Sequence, residues 1–320
     1  MDIMRVFRIG RISFADKLKL IFCSVLIMIS AVALSGDAEK RSNPGKASFK
    51  WDSDALVVWE IFENDAKEYK TVPEFTRPSS RESEERYFRF IAEMLSRQVV
   101  FIRSLNYDNC SSECRTAINE YRMMLQQCSD ITLETVRQIA SGNREGYVRS
   151  LRRFMVVQCD ISLIRAKLYC IAFQKNADPK SFQKAQSEFI DFIVSNKPQW
   201  NSGVSLKSVK KIPEYIQKLH DFRGKICNAE RLAACGSVFL KAFKAYYDNL
   251  NFGISTLENM PYIPSDKKGM VLLAAGTLLS PRSADKYKEE LGIYSRKFTQ
   301  YAETDKKTFQ KMKDIAAGKH

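Results

Sequence analysis

Beyond residue 50, apolar side chains recur every three or four residues along almost the whole chain. This is the period of an α-helix that buries one face. The first stripe predicts a short amphipathic helix over about residues 54–70, with Asp54 as the expected N-cap. Later stripes predict a helical bundle over residues 84–196 and a second helical region over residues 197–320 that continues it. The pattern therefore predicts an all-α fold, a multi-helix bundle of long amphipathic helices.

Two local signals refine this bundle. Ser141, Gly142 and Asn143 combine a glycine suited to end one helix with an asparagine suited to cap the next, so we expect a helical hairpin that turns at Gly142. A seam with strictly alternating four- and three-residue spacing runs from Tyr215 to Tyr247 and predicts one continuous helix. The scarcity of glycine (13) and proline (9) among 320 residues also argues against an all-β fold.

The N-terminal segment differs from the rest of the chain. Basic residues precede an uncharged run from Leu20 to Gly36, and small residues lie near its end. This order is typical of a secretory signal peptide or an N-terminal membrane anchor. As a helix the run would reach about 25 Å, against a hydrocarbon core of about 30 Å, so cleavage and retention both stay open. In either case residues 1–36 predict an extracytoplasmic protein, and residues 37–83 form a linker that contains the first short helix.

Four cysteines lie on the apolar stripes of the two helices of the expected hairpin. In an antiparallel hairpin centred on Gly142, residues at one height have numbers that add up to about 284. Cys114 with Cys170 gives 284 and Cys128 with Cys159 gives 287. We therefore expect two disulfide rungs, Cys114–Cys170 and Cys128–Cys159, in an oxidising compartment. The alternative is that all four are ordinary buried thiols.

Little else in the sequence points to catalysis. It contains no nucleotide-binding glycine motif, no G-x-S-x-G and no H-E-x-x-H, and one of its two histidines, His320, is terminal. His220 is expected to face solvent, with a Cys–His pair to Cys227 as the alternative. Cys110 and Cys114 have no second cysteine pair and no nearby histidine, so no zinc site is predicted. We therefore predict no catalytic, metal-binding or cofactor-binding residue.

The chain is strongly basic, with a net charge of +14, of which +11 belongs to residues 37–320. Outside the cytoplasm the natural anionic partners are lipid headgroups, acidic glycans or an acidic protein, and no nucleic acid is expected. One loop combines an aromatic ring with lysines, and its candidates for contact with an anionic surface are Trp200, Lys207, Lys210 and Lys211. The alternatives are a solvated basic face and a tryptophan that caps the end of the bundle.

These observations favour an extracytoplasmic, non-enzymatic helical protein that binds or scaffolds another macromolecule. The expected partner is a protein or an anionic membrane or glycan surface, with membrane contact through the N-terminal segment if that segment is not cleaved. A thiol-dependent enzyme of unfamiliar type and an exported, membrane-active effector are the alternatives.

Overall fold

The computed structural model describes residues 51–72, 80–174, 179–199, 212–259 and 281–319. All regular elements within these ranges are α-helices, which confirms the predicted all-α class. The expected signal peptide or anchor lies outside the described residues and stays a prediction. None of the described helices is long and apolar enough to cross a membrane.

Nine helices are present in these ranges. In chain order they are α1 (Ser53–Lys70), α2 (Arg81–Ser104), α3 (Ser112–Ser141), α4 (Arg144–Phe173), α5 (Pro179–Asn196), α6 (Ile212–Ile226), α7 (Ala229–Ala234), α8 (Gly236–Glu258) and α9 (Pro281–Ala316). The segment boundaries expected at residues 36, 83 and 196 stay predictions.

Side-chain caps explain where several helices begin and end. Asp52 caps α1, because its carboxylate accepts a hydrogen bond from the backbone N–H of Ala55 at 2.9 Å. The expectation that Asp54 is this cap was wrong, and Asp54 lies buried inside the first turn. Gly142 ends α3 in the left-handed conformation, with φ at 71°, and Asn143 caps α4. The expected turn between α3 and α4 is therefore confirmed.

The described residues belong to two compact units. The first unit contains α1 to α4, residues 179–189 and residues 224–240, which include α7. The second unit contains residues 190–199, 212–223 and 241–259 together with α9. Helices α5, α6 and α8 each contribute residues to both units.

The core of the first unit is enclosed by α1 to α4. Helix α3 packs along α2 and α4, and α1 lies against α2 and α4. Apolar side chains of all four helices form one continuous cluster, and fully buried side chains of this type each contribute about 1.5–3 kcal/mol relative to exposure. Members without measurable exposure include Val58, Met94, Leu95, Ile118, Leu125 and Leu168.

Polar contacts between α3 and α4 give the register of the hairpin. They join Glu120 to Lys167, Tyr121 to Arg165, Cys128 to Gln158 and Glu134 to Arg153. The residue numbers of each pair add up to 286 or 287. The two helices are therefore antiparallel around the expected turn, with one register over residues 120–134 of α3 and 153–167 of α4.

The regular seam from Tyr215 to Tyr247 was predicted to form one continuous helix. In the structure it is divided among α6, α7 and α8. Asn228 begins α7 by accepting a hydrogen bond from the N–H of Arg231 at 2.8 Å. Gly236 begins α8 with a positive φ of 81°, which residues with a side chain rarely adopt. Apolar spacing indicates which face is buried, but it does not show whether the backbone hydrogen bonds continue.

Aromatic packing and one ion pair mark the centre of the second unit. Tyr246 of α8 is fully buried and packs against Phe309 of α9, with ring centroids 5.8 Å apart. Lys197 pairs with Asp305 of α9, and its ammonium nitrogen lies 5.4 Å from the ring centroid of Tyr246. The lysine thus neutralises a carboxylate that has only 14 % of its side chain exposed.

Two glycines of the first unit form a matched test of this backbone geometry. Gly236 has a positive φ, and an alanine Cβ there would lie 3.1 Å from the ring of Phe182. At Gly224, within α6, an added Cβ would meet nothing within 4 Å apart from its chain neighbours and the backbone of its own helix. We expect Gly236→Ala to lower the free energy of unfolding by at least about 1–2 kcal/mol, the cost of the left-handed conformation. Gly224→Ala should raise it by about 0.5–1 kcal/mol, because glycine is a poor helix former.

Urea denaturation of the two variants beside the unsubstituted protein measures both changes. Equal effects of the two substitutions would contradict the break between α7 and α8.

Candidate functional site

Polar and reactive side chains of the described residues meet in several buried clusters. The most central one joins three helices of the first unit. The hydroxyl of Tyr121 on α3 donates to Oδ2 of Asp65 on α1 at 2.6 Å, and Nη1 of Arg165 on α4 donates to the same oxygen. Arg165 Nη1 also lies 3.0 Å from the Tyr121 hydroxyl, and its guanidinium lies 4.5 Å from the ring centroid of Phe62. All three members are buried.

Burial acts against charge in this cluster. It raises the pKa of Asp65, and the neighbouring Arg165 opposes that shift. Burial and the charge of Asp65 also raise the pKa of Tyr121 well above its usual value. Since one carboxylate oxygen receives both donors, the geometry is that of an enclosed ion pair that holds α1, α3 and α4 together.

The seven cysteines within the described residues are buried thiols. Cys128 accepts a hydrogen bond from the side-chain amide of Gln158 at 3.1 Å, and the thiol of Cys235 donates to the carbonyl oxygen of Arg231 at 3.2 Å. The sulfur of Cys170 lies 3.9 Å from the carbonyl oxygen of Ala233 on α7. Burial raises the pKa of Cys128, Cys170 and Cys235 to about 12.

Neither expected disulfide rung is present in the structure. The register of α3 and α4 brings Cys128 to Gln158, the residue before Cys159, and one residue corresponds to a rotation of about 100° around a helix. Cys170 contacts α7, whereas Cys114 lies beside α1. The cysteines of each expected pair therefore lie at similar heights along the hairpin, but they face different directions around their helices.

A second cluster lies where α1 and α3 both begin. A carboxylate oxygen of Asp54 and the sulfur atoms of Cys110 and Cys114 all lie within 4.8 Å of one another, and the three residues are buried. The sequence did not predict this cluster, because Asp54 is 56 residues from Cys110 and resembles a helix cap. Burial and the charge of Asp54 raise the pKa of Cys110, and its hydrogen bond with Cys114 opposes that shift.

One residue between the two cysteines organises this cluster. Both oxygens of Asp54 accept hydrogen bonds from Ser111, one from its backbone N–H at 2.7 Å and one from its hydroxyl at 2.8 Å. The same hydroxyl accepts a hydrogen bond from the N–H of Cys114 at 3.2 Å. The thiol of Cys110 lies 3.5 Å from the carbonyl oxygen of Ser53. The start of α1 is thereby joined to the start of α3.

His220 forms a third cluster, in the second unit, and the expectation that it faces solvent was wrong. The residue is 2 % exposed. Its Nδ1 lies 2.8 Å from Nη2 of Arg223 and its Nε2 lies 2.9 Å from Glu258. Because a guanidinium only donates, Nδ1 accepts this hydrogen bond and Nε2 carries the proton that is donated to Glu258. The bond from Nε2 to Glu258 therefore links α6 to α8, whereas the bond between Nδ1 and Arg223 lies within α6.

The predicted contacts for an anionic surface, Trp200, Lys207, Lys210 and Lys211, lie outside the described residues. A basic surface that sequence reasoning did not single out lies at the α3–α4 turn of the first unit. We call it the arginine end, and it consists of Arg81, Arg137, Arg144, Arg149, Arg152 and Arg153. Five of these six residues are exposed and Arg152 is half-buried.

Comparison with protein families, with curated proteins and with solved structures finds no match.

The enclosed ion pair gives a direct test of what holds the first unit together. Arg165→Met leaves the Asp65 carboxylate in the core without its countercharge, and we expect it to lower the free energy of unfolding by about 3–5 kcal/mol. The double variant Asp65→Asn/Arg165→Met should lose less than the sum of the two single variants, because it leaves no unpaired charge.

The matched control is Arg153→Met, which breaks the exposed pair between Arg153 and Glu134. Exposed pairs contribute about 0–1 kcal/mol, so this variant should unfold in urea at nearly the original concentration. Equal losses for Arg165→Met and Arg153→Met would contradict a structural role for the buried pair.

Proposed function

We propose that the chain is an extracytoplasmic helical binding protein that holds an anionic partner at its arginine end and acts by contact rather than catalysis. The observation that carries the proposal is the distribution of its basic residues. Residues 71–166 contain fourteen arginines and no lysine, whereas residues 167–320 contain 22 lysines and four arginines. Guanidinium groups are thus concentrated in the part of the chain that forms α2, α3 and α4.

The arginine end is held in place by the helices that form it. Arg81, in the first turn of α2, donates a hydrogen bond to the carbonyl oxygen of Ala140 near the end of α3. Arg149 pairs with Glu145 at 3.0 Å and Arg153 with Glu134 at 2.6 Å. These contacts orient the arginine side chains near the turn between α3 and α4.

Arginine at this position supports the choice of an anionic partner. A guanidinium matches carboxylate, sulfate and phosphate groups with two parallel hydrogen bonds and is less strongly hydrated than an ammonium. Arg144 is the first residue of α4, where the helix dipole already favours a negative ligand and disfavours a cation without one. An anionic partner at the arginine end would relieve that unfavourable placement.

The extracytoplasmic location is supported by the N-terminal sequence, with its basic flank followed by the uncharged run from Leu20 to Gly36. The two alternatives gain less support. A thiol-dependent enzyme needs an accessible thiolate, and the cysteines of the described residues are buried. A membrane-active effector would release the contents of the vesicles that it binds.

Thiol reactivity separates the binding protein from the thiol enzyme. A pKa of about 12 for Cys128, Cys170 and Cys235 lowers the thiolate fraction near pH 8 by about a thousandfold relative to an ordinary thiol. We expect these cysteines to react with iodoacetamide at least about a hundredfold more slowly in native than in urea-unfolded protein. Site-resolved mass spectrometry measures the rates.

The raised pKa values also give the sign of a pH effect. Their contribution to stability is complete below the unfolded pKa of about 9 and is lost as the pH rises towards about 12, because only the unfolded thiols ionise in that interval. Native reactivity should increase over the same interval. A single cysteine that reacts rapidly at pH 8 in folded protein would instead favour the thiol-dependent enzyme.

Binding to anionic vesicles tests the partner. Full-length protein should sediment with vesicles that contain phosphatidylglycerol and not with phosphatidylcholine alone, and added salt should release it. Arg144→Glu/Arg149→Glu should weaken the apparent affinity by at least about tenfold, since each cation near an anionic surface contributes about 1 kcal/mol. Heparin in place of vesicles distinguishes an acidic glycan from a lipid surface.

The matched control is Lys184→Glu/Lys225→Glu, which changes the net charge equally at two exposed lysines elsewhere in the first unit. It should alter the affinity by less than about threefold. Equal weakening by both pairs would show that only net charge matters and would contradict the arginine end. The triple variant Trp200→Ala/Lys210→Glu/Lys211→Glu tests the other predicted surface in the same assay, and vesicle leakage would favour the effector.

A further inference from the structure

The cluster of Asp54, Cys110 and Cys114 brings two sulfur atoms and one carboxylate oxygen together from two separate parts of the chain. Cys110 and Cys114 flank the start of α3, and Asp54 comes from the first turn of α1. The three potential ligand atoms lie within 4.8 Å of one another, and all three residues are buried. A pair of cysteines alone is a weak signal, but a buried carboxylate beside them completes a set of three metal ligands.

We propose that Asp54, Cys110 and Cys114 bind one zinc ion, with a fourth coordination position left for water or an external ligand. Two soft thiolates and one carboxylate suit Zn²⁺, whereas Ca²⁺ and Mg²⁺ require oxygen ligands. The two thiols release their protons to solvent when the ion binds. This proposal is independent of the anionic partner proposed for the arginine end.

The distances in the cluster are close to those that zinc requires. Zn–S bonds of about 2.3 Å and Zn–O bonds of about 2.0–2.2 Å place the ligands of a tetrahedral ion about 3.5–3.8 Å apart. Because the three ligand atoms lie within 4.8 Å of one another, the side chains need to approach by no more than about 1 Å. Rotation about the χ1 angles of the two cysteines moves their sulfur atoms by this amount without a change of backbone.

Ser111 supplies the outer shell that a metal site needs. Its N–H and hydroxyl orient the two oxygens of Asp54, and its hydroxyl also receives the N–H of Cys114. Metal-binding carboxylates are generally oriented by such hydrogen bonds. Cys114 lies in the first turn of α3, where the helix dipole favours the thiolate form.

A zinc ion at this position would tie α1 to the start of α3. The two sequence positions are 56 residues apart, and the chain between them contains all of α2. The ion would therefore act as a cross-link that stabilises the docking of α1 on the first unit. A ligand that binds only the folded state stabilises it by RT ln(1 + [L]/Kd), so the melting temperature should rise with the concentration of the ion.

Cobalt provides the optical probe for the test. We expect reduced full-length protein, kept in a phosphine reductant, to bind one equivalent of Co²⁺ with a thiolate-to-cobalt charge-transfer band and the visible bands of a tetrahedral ion. Zn²⁺ should displace the cobalt and raise the melting temperature. Asp54→Asn should weaken zinc affinity by more than about tenfold, the smallest effect typical of losing even an outer-shell partner.

The cysteine variants are compared with a matched control. Cys110→Ala should abolish the charge-transfer band at one equivalent, while Cys159→Ala, which removes a buried thiol from α4, should keep it. Circular dichroism checks that both variants are folded, and if Cys110→Ala does not fold, the weakened zinc affinity expected for Asp54→Asn is compared with that of Cys159→Ala instead. Absence of a charge-transfer band in the reduced, unsubstituted protein, or a band that persists in Cys110→Ala, would overturn the proposal.

Discussion

Three helices of the first unit depend on one enclosed ion pair. A carboxylate and a guanidinium in an apolar core are tolerated only together, because removing either one leaves a buried charge without compensation. Asp65, Tyr121 and Arg165 come from α1, α3 and α4, so a packing that moves any of these helices along another separates the charges. Breaking such a buried pair costs about 3–5 kcal/mol. This is about a third of the 5–15 kcal/mol by which a domain is typically stable. The pair therefore selects one register for the helices around it.

The hairpin beside this pair could be predicted because its signals are local. Gly142 and Asn143 are adjacent. Gly142 adopts the left-handed conformation that ends α3, and the side chain of Asn143 caps α4. From the turn alone, the antiparallel register follows within about three residues. The ion pair itself could not be predicted, since Asp65 and Arg165 are 100 residues apart and no local pattern relates them.

Orientation around a helix is what the sequence did not determine. The height of Cys128 on α3 agrees with that of Cys159 on α4, yet Cys128 contacts the neighbouring Gln158. The spacing of the seam from Tyr215 to Tyr247 likewise predicted helical structure with one buried face. It did not predict the breaks at Asn228 and Gly236. Contact between Asp54 and Cys110 depends on the path of the chain before α3, which periodicity does not describe.

The arginines of the first unit connect its internal packing to its surface. Several of them brace one helix on another element: Arg97 donates two hydrogen bonds to Glu68 of α1, and Arg81 donates to the end of α3. Each guanidinium has five N–H donors, and such bonds use one or two of them. A braced arginine has lost most of its side-chain freedom before a partner arrives, so an anion that binds it meets a smaller entropic cost than one that binds a mobile lysine. The contacts that hold the helices together would thus also prepare this surface for the proposed anionic partner.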